Sequence, residues 1–475
     1  SNTTGSDVQG KGFPTDDFNN IANAAEATVF SSWDEAHSYL SYFARANYKL
    51  SDKYLFSVSG RVDGSSRFGV DNRYGFFPAV SAGWILSEED FMSGIKNTLS
   101  YLKLRASYGI TGNSGIPDYA HLALYTGVNY AGRNALQPTQ LQSRELGWEN
   151  TAQTDIGIDF GFFKNRLSGE LDFYYKKTTD LLLYRTLPST SGFEGVWSNI
   201  GELENKGIEF ALHSNNFVGD FKWTTDFNIA FNRNKILNIN GPEITPNGIN
   251  YVIEGQPIGV FKMRKYAGVD PDNGDAIYYI NDTSNEATSN YNLAGDLIVG
   301  SPNPDFTGGF NNSMEYKGFD LNILMSFVYG NDVFNGGGRY QSANGDWFDN
   351  QTVDQMNRWQ NPGDITDVPQ ARLGESNGTN NSSRYLSDAS YLRIRNVNFG
   401  YNFPASVLRK ARLSAMRIYL GVQNLYTFTN YKGWDPEVNY TGTGRSTQNT
   451  NIIQGYDFYT APQARTYTLG VNLSF

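Results

Sequence analysis

The sequence predicts an all-β protein and, within that class, a transmembrane antiparallel up-and-down β-barrel. Three observations lead to this prediction. Apolar and polar residues alternate with a period of two through thirteen segments, as strands with one apolar and one polar face require. The longest segments run to roughly 11 residues, which at a tilt of about 45° spans the ~25 Å apolar band of an outer-membrane barrel. Short turns and long loops alternate along the chain, as they do in such barrels.

Composition argues against the other membrane architecture. Aromatic residues make up 15% of the chain, with 31 Tyr and 31 Phe, so apolar side chains are plentiful. Yet no run approaches the ~18 consecutive apolar residues that a spanning helix requires, and the mean hydropathy is negative. Alternate apolar residues are enough for a strand that faces lipid on one side only.

Cysteine content and charge remove further classes of function. The chain has no Cys, so we expect no disulfide, thiolate nucleophile or Cys-bound metal. The net charge is −10 and the basic residues are scattered, whereas a nucleic-acid-binding surface needs clustered Lys and Arg. We therefore expect no nucleic-acid partner.

The predicted strands begin at Tyr39 and continue to the last residue, Phe475. In chain order they cover residues 39–50, 54–63, 76–86, 102–108, 156–162, 167–175, 208–212, 221–231, 306–316, 319–329, 391–403, 416–422 and 465–475. Tight turns are predicted at Ser51-Asp52-Lys53, Lys164-Asn165 and Lys317-Gly318, and a short helical turn from Ser87 to Met92. In residues 391–403 the apolar positions change phase, which predicts a bulge near Arg395 or Asn396.

The C-terminal strand shows the alternation without a slip. Its apolar face carries Tyr467, Leu469, Val471, Leu473 and Phe475, opposite Thr, Gly, Asn and Ser residues. The terminal aromatic residue, preceded by apolar residues at every second position, resembles the signal read by the bacterial outer-membrane barrel assembly machinery.

Two domains follow from the strand pattern. Residues 1–38 are polar and are predicted to be an extracellular loop or irregular segment, with a short helix between Asp17 and Ala27. Residues 39–475 hold thirteen strands, an odd number, so the first and last strands run in the same direction and cannot close an antiparallel ring. Bacterial single-chain barrels have even strand counts. We expect residues 39–475 to be the C-terminal portion of a larger barrel; the alternative is an unrecognised strand in residues 1–38.

A soluble surface-adhesion β-sandwich is the alternative fold, because its strands also alternate. The apolar faces of thirteen long strands far exceed the few hundred Å² that a soluble monomer tolerates. Lipid is therefore the expected cover.

Several motifs resemble the SusC/RagA family of TonB-dependent outer-membrane transporters of Bacteroidota, and together they extend over nearly the whole chain. They are residues 41–48 (SYFARANY), 61–69 (RVDGSSRFG), 77–78 (FP) with 83–84 (GW), 102–109 (LKLRASYG) with 111–113 (TGN), 205–209 (NKGIE) and 391–396 (YLRIRN). The resemblance implies a 22-stranded barrel closed by an N-terminal plug, in the outer membrane of a Gram-negative bacterium.

The same resemblance implies the function and the partners. Such a transporter imports oligosaccharides or peptides together with a SusD-like surface lipoprotein that acts as a lid, with energy relayed by TonB through the plug. It also allows a dimer of transporter–lipoprotein pairs. The plug, the TonB-contacting segment and nine strands have no counterpart in this sequence, so a passive porin-like channel remains an alternative.

Catalysis and metal binding have little support. The three histidines, His37, His121 and His213, are far apart in sequence. Asp155 and Asp159, with Glu170 and Asp172 on the next strand, could mimic a glycosidase carboxylate pair, but their phase places them in the lumen, where a polar lining is expected anyway. Asp270, Asp272 and Asp275 lack the spacing and distal Glu of a calcium loop. We expect no enzymatic activity, metal or cofactor.

Binding is better motivated by two sets of side chains. Tryptophans in the predicted loops have flat apolar faces that suit a sugar ring, a peptide or the lid protein. The alternative is that they pack the loops. These residues are Trp148, Trp197, Trp347, Trp359 and Trp434. Arginines on the polar strand faces are predicted to line the lumen or to pair with acidic groups of a plug: Arg45, Arg61, Arg105, Arg393 and Arg395.

Overall fold

The computed structural model describes residues 2–12, 21, 24–193, 195–346, 350–409, 412–440 and 451–475. Its strands in chain order are β1 (Asn2–Lys11), β2 (Glu26–Ala36), β3 (Tyr39–Leu50), β4 (Tyr54–Ser65), β5 (Tyr74–Ile85), β6 (Leu99–Asn113), β7 (Leu124–Tyr130), β8 (Arg133–Gln140), β9 (Glu149–Phe162), β10 (Leu167–Thr179), β11 (Leu182–Thr186), β12 (Gly195–Asn199), β13 (Glu202–Val218), β14 (Phe221–Asn238), β15 (Asn250–Tyr251), β16 (Val260–Arg264), β17 (Tyr266–Val269), β18 (Ala276–Tyr279), β19 (Ala287–Thr288), β20 (Asp296–Gly300), β21 (Phe306–Tyr316), β22 (Phe319–Tyr329), β23 (Asp332–Asn335), β24 (Leu386–Asp388), β25 (Tyr391–Asn402), β26 (Ala415–Thr429), β27 (Tyr456–Asp457) and β28 (Thr466–Ser474). Short helices are α1 (Gly338–Gln341), α2 (Ala405–Leu408) and the 3₁₀ turns Leu86–Glu88, Asp90–Ile95, Ser189–Ser191, Val353–Asn357 and Ser383–Tyr385.

A 13-stranded antiparallel sheet dominates the described part of the chain. Its order is β28-β26-β25-β22-β21-β14-β13-β10-β9-β6-β5-β4-β3, so each strand pairs with its neighbours in this up-and-down series. The sheet confirms the thirteen predicted strands. Several strands extend further than predicted, as β13 and β14 do, because their polar ends continue the hydrogen-bond ladder beyond the apolar residues.

The register keeps apolar residues on one face across the sheet. Tyr48 pairs with Phe56, and Phe173 with Ile208. We call this the outer face, and the opposite polar side the inner face. On the terminal strand the outer residue Leu469 is 78% exposed, because no second protein layer covers this part of the face. The sandwich alternative is therefore wrong.

A bulge preserves this face where the sequence changes phase. The β22–β25 ladder shifts between Met325–Ile394 and Leu324–Asn396, which leaves Arg395 as an extra residue. Ile394 and Val397 then both lie on the outer face, because Met325 and Ile323, their partners, share it. The predicted bulge is confirmed.

Connections at one end of the sheet are short. Ser51 and Asp52, and Lys164 and Asn165, adopt positive φ in their turns, and Lys317 does so before Gly318. The predicted helical turn after β5 is present as the two 3₁₀ turns between residues 86 and 95. Among the described residues, no helix has the length and apolar character needed to cross a membrane.

The N-terminal segment differs from its prediction. Strands β1 and β2 form an antiparallel hairpin, and β2 already begins at Glu26, so the described end of the expected Asp17–Ala27 helix is extended. Residues 17–20 and 22–23 of that prediction lie outside the described residues. Tyr119 Oη accepts a hydrogen bond from the Ala36 N–H at 3.1 Å, which ties the hairpin to the long-loop end. Its extracellular position stays a prediction.

The long connections at the other end are folded rather than irregular. Three matter below: loop A (residues 239–305), loop B (residues 330–390) and loop C (residues 430–465). They contain small sheets of their own, such as β15-β16-β20, β17-β18-β19 and β24-β23-β27. Their apolar cores join distant segments, for example Phe261 of loop A with Phe334 and Tyr385 of loop B. The buried core therefore lies mainly at this end of the sheet.

Adjacent residues of β14 provide a test of the two faces. Ile229 lies on the outer face, about midway between Trp223 and Arg233, and Asn228 lies on the inner face. We expect Ile229→Lys to lower the free energy of unfolding by about 2–4 kcal/mol, the usual cost of Lys at the bilayer midplane. Asn228→Lys should change it by less than about 1 kcal/mol. Urea unfolding of the full-length protein in lipid vesicles measures both, and equal effects would contradict the assignment of faces.

Candidate functional site

A cavity of about 710 Å³ opens among loops A, B and C at the long-loop end of the sheet. Each loop contributes to its wall, so the cavity exists only once the three loops have packed together. Its lining is Tyr266, Asn335, Gly337, Gly338, Gln341, Ser342, Thr352, Val353, Asp354, Asn357, Asp367, Val368, Ser383, Arg384, Tyr385, Leu386, Ser387, Lys432, Gly433, Trp434, Asp457 and Tyr459.

Aromatic side chains form part of this wall. The Tyr385 hydroxyl donates to the Gly378 carbonyl oxygen at 2.8 Å, and the Tyr266 hydroxyl donates to the Asp367 carbonyl oxygen at 3.0 Å. Burial raises the pKa of both phenols, so both stay neutral. Trp434 also lines the cavity and is 61% exposed.

Charged groups in the lining have mixed sign. Arg384 donates to the Gly378 carbonyl oxygen at 2.9 Å and lies 5.2 Å from the ring centre of Tyr385. Buried Asp457 accepts a hydrogen bond from the Tyr431 hydroxyl at 2.8 Å. Burial is the main cause that raises the pKa of Tyr431, and the nearby Asp457 carboxylate raises it further. Polar groups next to aromatic faces suit a ligand with both hydroxyl or amide groups and apolar surfaces.

Below the cavity, four charged side chains join loop C to the sheet. We call Arg393, Arg395, Asp435 and Glu437 the ion cluster. Arg393 is only 1% exposed; its Nη2 lies 2.5 Å from Asp435 Oδ1 and its Nη1 lies 2.6 Å from Glu437 Oε2. Arg395 also pairs with Glu437. Both arginines lie on the inner face of β25, so loop C folds over the inner side of the sheet.

Hydrogen bonds fix the acidic half of the ion cluster. Asp435 Oδ2 accepts the Gln463 N–H at 3.0 Å, and Asp435 Oδ1 accepts the Glu437 N–H at 3.0 Å. Burial by itself raises the pKa of Asp435, but the hydrogen bonds from Arg393 and these backbone groups outweigh it and hold the pKa below its usual value. Asp435 is therefore ionised at neutral pH.

The structure places the predicted tryptophans in different environments. Trp434 lines the cavity, whereas Trp197 and Trp359 are 4% and 5% exposed and pack the loops. Trp148 packs against Phe68 and Phe77 and donates to the Arg73 carbonyl oxygen. Trp347 lies outside the described residues. Packing within the loops thus explains the positions of Trp148, Trp197 and Trp359.

Trp359 shows how closely these rings are held. Its Nε1 donates to the Pro271 carbonyl oxygen at 3.0 Å. Gly274 lies against the ring with a φ of +79°, and a Cβ there would come within 2.5 Å of the indole. No face of this ring is free for a ligand.

The predicted arginines find partners mainly within the chain. Arg61 donates to Asp63 at 2.6 Å, and Arg105 donates to Asp159 at 2.8 Å and to Asp172 at 2.6 Å. Arg393 and Arg395 belong to the ion cluster. These four arginines thus each have an acidic partner within the chain, and their contact with a plug stays a prediction. Arg45 bonds to Asn47 and Ser57, so a plug contact stays a prediction for it.

The groups considered for catalysis are also engaged. His213 lies 2.7 Å from Asp226, His37 lies 3.1 Å from Asp118, and His121 contacts the Arg67 carbonyl oxygen. Asp159 and Asp172 share Arg105, and Glu170 lies 3.5 Å from the same guanidinium. Asp155 lies 3.5 Å from it as well. The four carboxylates form one ion network with an arginine at its centre.

The aspartate-rich turn of loop A has an ordinary explanation. Asp270 accepts the Asp272 N–H at 2.9 Å, and Asp275 accepts Arg372 at 2.6 Å. Within the part of the chain that the structure describes, no group of three or more His, Cys, Asp or Glu residues has the arrangement of a metal site.

Sequence reasoning missed Asp435 and Glu437. The sequence Trp434-Asp435-Pro436-Glu437 places two acids beside a tryptophan. Only the fold shows that these acids meet arginines about forty positions earlier, because no local spacing links the two segments.

Comparison with known proteins gives a consistent result. Residues 1–425 match a family model described as TonB dependent receptor-like, beta-barrel. TonB-dependent receptor P3 of Formosa agariphila is 37% identical over 495 residues, which cover 96% of this chain and 48% of the relative. TonB-dependent receptor SusC of Bacteroides thetaiotaomicron is 31% identical over 487 residues, covering 96% and 45%.

Solved structures agree with these sequence matches. A structure of the RagAB peptide transporter superposes with a TM-score of 0.85 at 28% identity, covering 100% of this chain and 52% of that chain. The chain spans about half the length of the relatives that it matches.

Two tryptophans provide a test of which ring is structural. We expect Trp359→Ala to destabilise the packed loops by about 3–5 kcal/mol, as for other buried aromatic truncations. Trp434→Ala should cost less than about 1 kcal/mol, because its ring is mostly exposed. Hydrogen exchange of loops A, B and C measures both effects, and a similar loss of protection in the two variants would contradict the assignment.

Acidification tests the ion cluster. Because the folded-state pKa of Asp435 lies below the ~3.9 of an unfolded Asp, its contribution to stability is fully present above that value and is lost as the pH falls through the folded-state pKa. Arg393, Glu437 and Tyr431 are the charged or titratable groups that face it. Protection factors of residues 430–439, which correct hydrogen exchange for the pH dependence of its intrinsic rate, should be equal at pH 7 and pH 5, with protection lost only on acidification below about pH 4. Opening between pH 7 and pH 5 would contradict this prediction, and Asp435→Asn should open the segment at every pH.

Proposed function

Because this chain belongs to the TonB-dependent receptor-like β-barrel family, we propose that it forms barrel strands and external loops of an active outer-membrane importer of SusC/RagA type. The outer membrane is its location, as the family match and the SusC and RagA relatives indicate. The importer uses its inner face as the wall of the transport path and its long loops as the external binding surface.

One observation supports a binding role above the others: the cavity among loops A, B and C. It lies at the long-loop end, which faces outward in outer-membrane barrels. Trp434 offers an apolar ring, while neutral tyrosines, amides and carboxylates surround it. We propose that this cavity binds an oligosaccharide or a peptide before it enters the barrel. The solved relative described as a peptide transporter supports the peptide class.

A SusD-like lipoprotein lid is the proposed partner at this end. Loop B carries four aliphatic side chains that are 70–97% exposed beside or near the cavity: Val353, Met356, Ile365 and Leu373. Exposed apolar residues gathered in one loop suit contact with another protein. The lid would cover them and close the cavity over its ligand.

The proposal that import is coupled to energy relayed by TonB rests on the family to which the chain belongs. TonB acts through a plug in such importers, so the plug and the TonB contact are assigned to the full-length protein. A passive porin-like channel is the second candidate, since the inner face is polar along the sheet, but the family match favours active import. The relatives are named receptors or transporters, and we propose no enzymatic activity for the chain.

Ligand retention provides the test. The full-length transporter, purified with its lipoprotein, is incubated with a tryptic digest of casein or with a mixture of neutral oligosaccharides, and retained molecules are identified by mass spectrometry. We expect one mixture to be retained. Trp434→Ala should lower retention at least about fivefold, the effect of losing an aromatic contact worth more than about 1 kcal/mol.

Tyr130→Ala is the control, because Tyr130 is an exposed aromatic residue at the tip of the β7–β8 hairpin and does not line the cavity. It should retain ligand like the unaltered protein. If neither mixture is retained, or if Trp434→Ala behaves like the control, the cavity is not the binding site.

A further inference from the structure

Two inner-face arginines of β25, one of them at the bulge, reach the same carboxylate. Arg393 and Arg395 flank Ile394, and the register shift after Ile394 leaves Arg395 outside the ladder with β22. A bulge re-aims the side chain that it carries. Arg395 Nε donates to Ser326 Oγ at 2.7 Å, and Arg395 Nη2 contacts Glu437. Arg393 contacts the same glutamate.

Glu437 is the point where these contacts converge. Its Oε2 faces Arg393 at 2.6 Å, while its Oε1 receives Arg395 and the Tyr391 hydroxyl, the latter at 2.5 Å. Two hydrogen-bond donors and one further cation, all from a single strand, therefore hold one carboxylate of loop C. Such charge-assisted contacts from a planar guanidinium constrain geometry strongly.

The acidic residues continue directly into the cavity wall. Lys432, Gly433 and Trp434 line the cavity, and Asp435 is the next residue of the chain. Asp435 is held by Arg393 at 2.5 Å and also accepts the Gln463 N–H, so both ends of loop C are tied to this point. A shift of the ion cluster would therefore move Trp434 with it.

From these contacts we propose that Arg393 and Arg395 are positioning residues for the cavity: through Asp435 and Glu437 they fix Trp434 in the orientation that binds the ligand. This inference rests on the proposed function of the cavity. Neither arginine lines the cavity, and Arg393 is almost fully buried. Both act through loop C, and they link the inner wall of the barrel to the external binding surface.

Variants of Arg395 and Glu437, the two residues of the ion cluster chosen for substitution, test this role. The side chain of Arg395 is 30% exposed and that of Glu437 is 19% exposed, so both tolerate substitution better than Arg393. Arg395→Met and Glu437→Gln should each lower ligand retention roughly fivefold to tenfold. Arg395→Lys keeps a donor for Glu437 and should restore most of the retention. The double variant should lose no more than Glu437→Gln alone, because both changes remove the same contact.

The matched control is the Arg417–Asp320 pair at the short-turn end. Its atoms approach to 2.5 Å and its side chains are 29% and 25% exposed, close to the values for Arg395 and Glu437. Arg417→Met should leave retention unchanged. Heat-modifiable gel migration shows in each case that the barrel is folded.

A direct measurement of position does not depend on the ligand. Because this chain has no Cys, Lys432→Cys and Val353→Cys introduce two spin labels across the cavity, with any Cys elsewhere in the full-length protein replaced. The distance distribution between the labels should be narrow with an intact cluster. It should broaden with Arg395→Met or Glu437→Gln, and stay narrow with Arg395→Lys or Arg417→Met.

The outcomes separate this inference from the proposed function. Broadened distances, lost retention and recovery with Arg395→Lys support the positioning role. Unchanged distances or retention in Glu437→Gln, while Trp434→Ala still lowers retention at least about fivefold, overturn it and leave the cavity as the binding site. Unchanged retention in Trp434→Ala overturns the proposed function instead, and broadened distances without any change in retention overturn the positioning role.

Discussion

The structure depends on the backbone hydrogen-bond ladder of a sheet that has lipid on one side and water on the other. In hydrocarbon every backbone N–H and C=O needs a partner within the protein, so the strands remain paired along their length. Side chains then have only two directions, and the period of two decides which of them face lipid. The bulge at Arg395 shows the strength of this constraint. Where the sequence changes phase, the ladder gains an extra residue and the apolar face continues without interruption.

That constraint also explains where the buried cores lie. The outer face needs no protein cover, so the sheet contributes few fully buried apolar side chains. Ile236, Val252 and Ile452, which are fully buried, come together at the long-loop end from three separated segments. The loops are thus a folded layer built on a barrel wall. A layer with its own core can hold a cavity of defined shape, which separate flexible loops cannot do.

The ion cluster connects these two parts of the molecule. Buried charges are stable only when each has a partner, and Arg393 finds its partners in loop C rather than in the sheet. The strand therefore supplies the cations and the loop supplies the anions. This division joins β25 to the part of loop C that carries Trp434, which is the basis of the proposed positioning role.

The sequence by itself determined the thirteen strands, their two faces, the tight turns and the position of the bulge, because each depends on residues within a few positions of one another. Only the tertiary structure decided the rest. It showed that strands β1 and β2 form a hairpin, that Trp197 and Trp359 are packed while Trp434 is mostly exposed, and that Arg393 pairs with Asp435 of loop C. Each of these depends on contacts between segments tens of residues apart, which periodicity does not encode. Short-range alternation specifies a strand, whereas the burial of a loop side chain is specified by what folds over it.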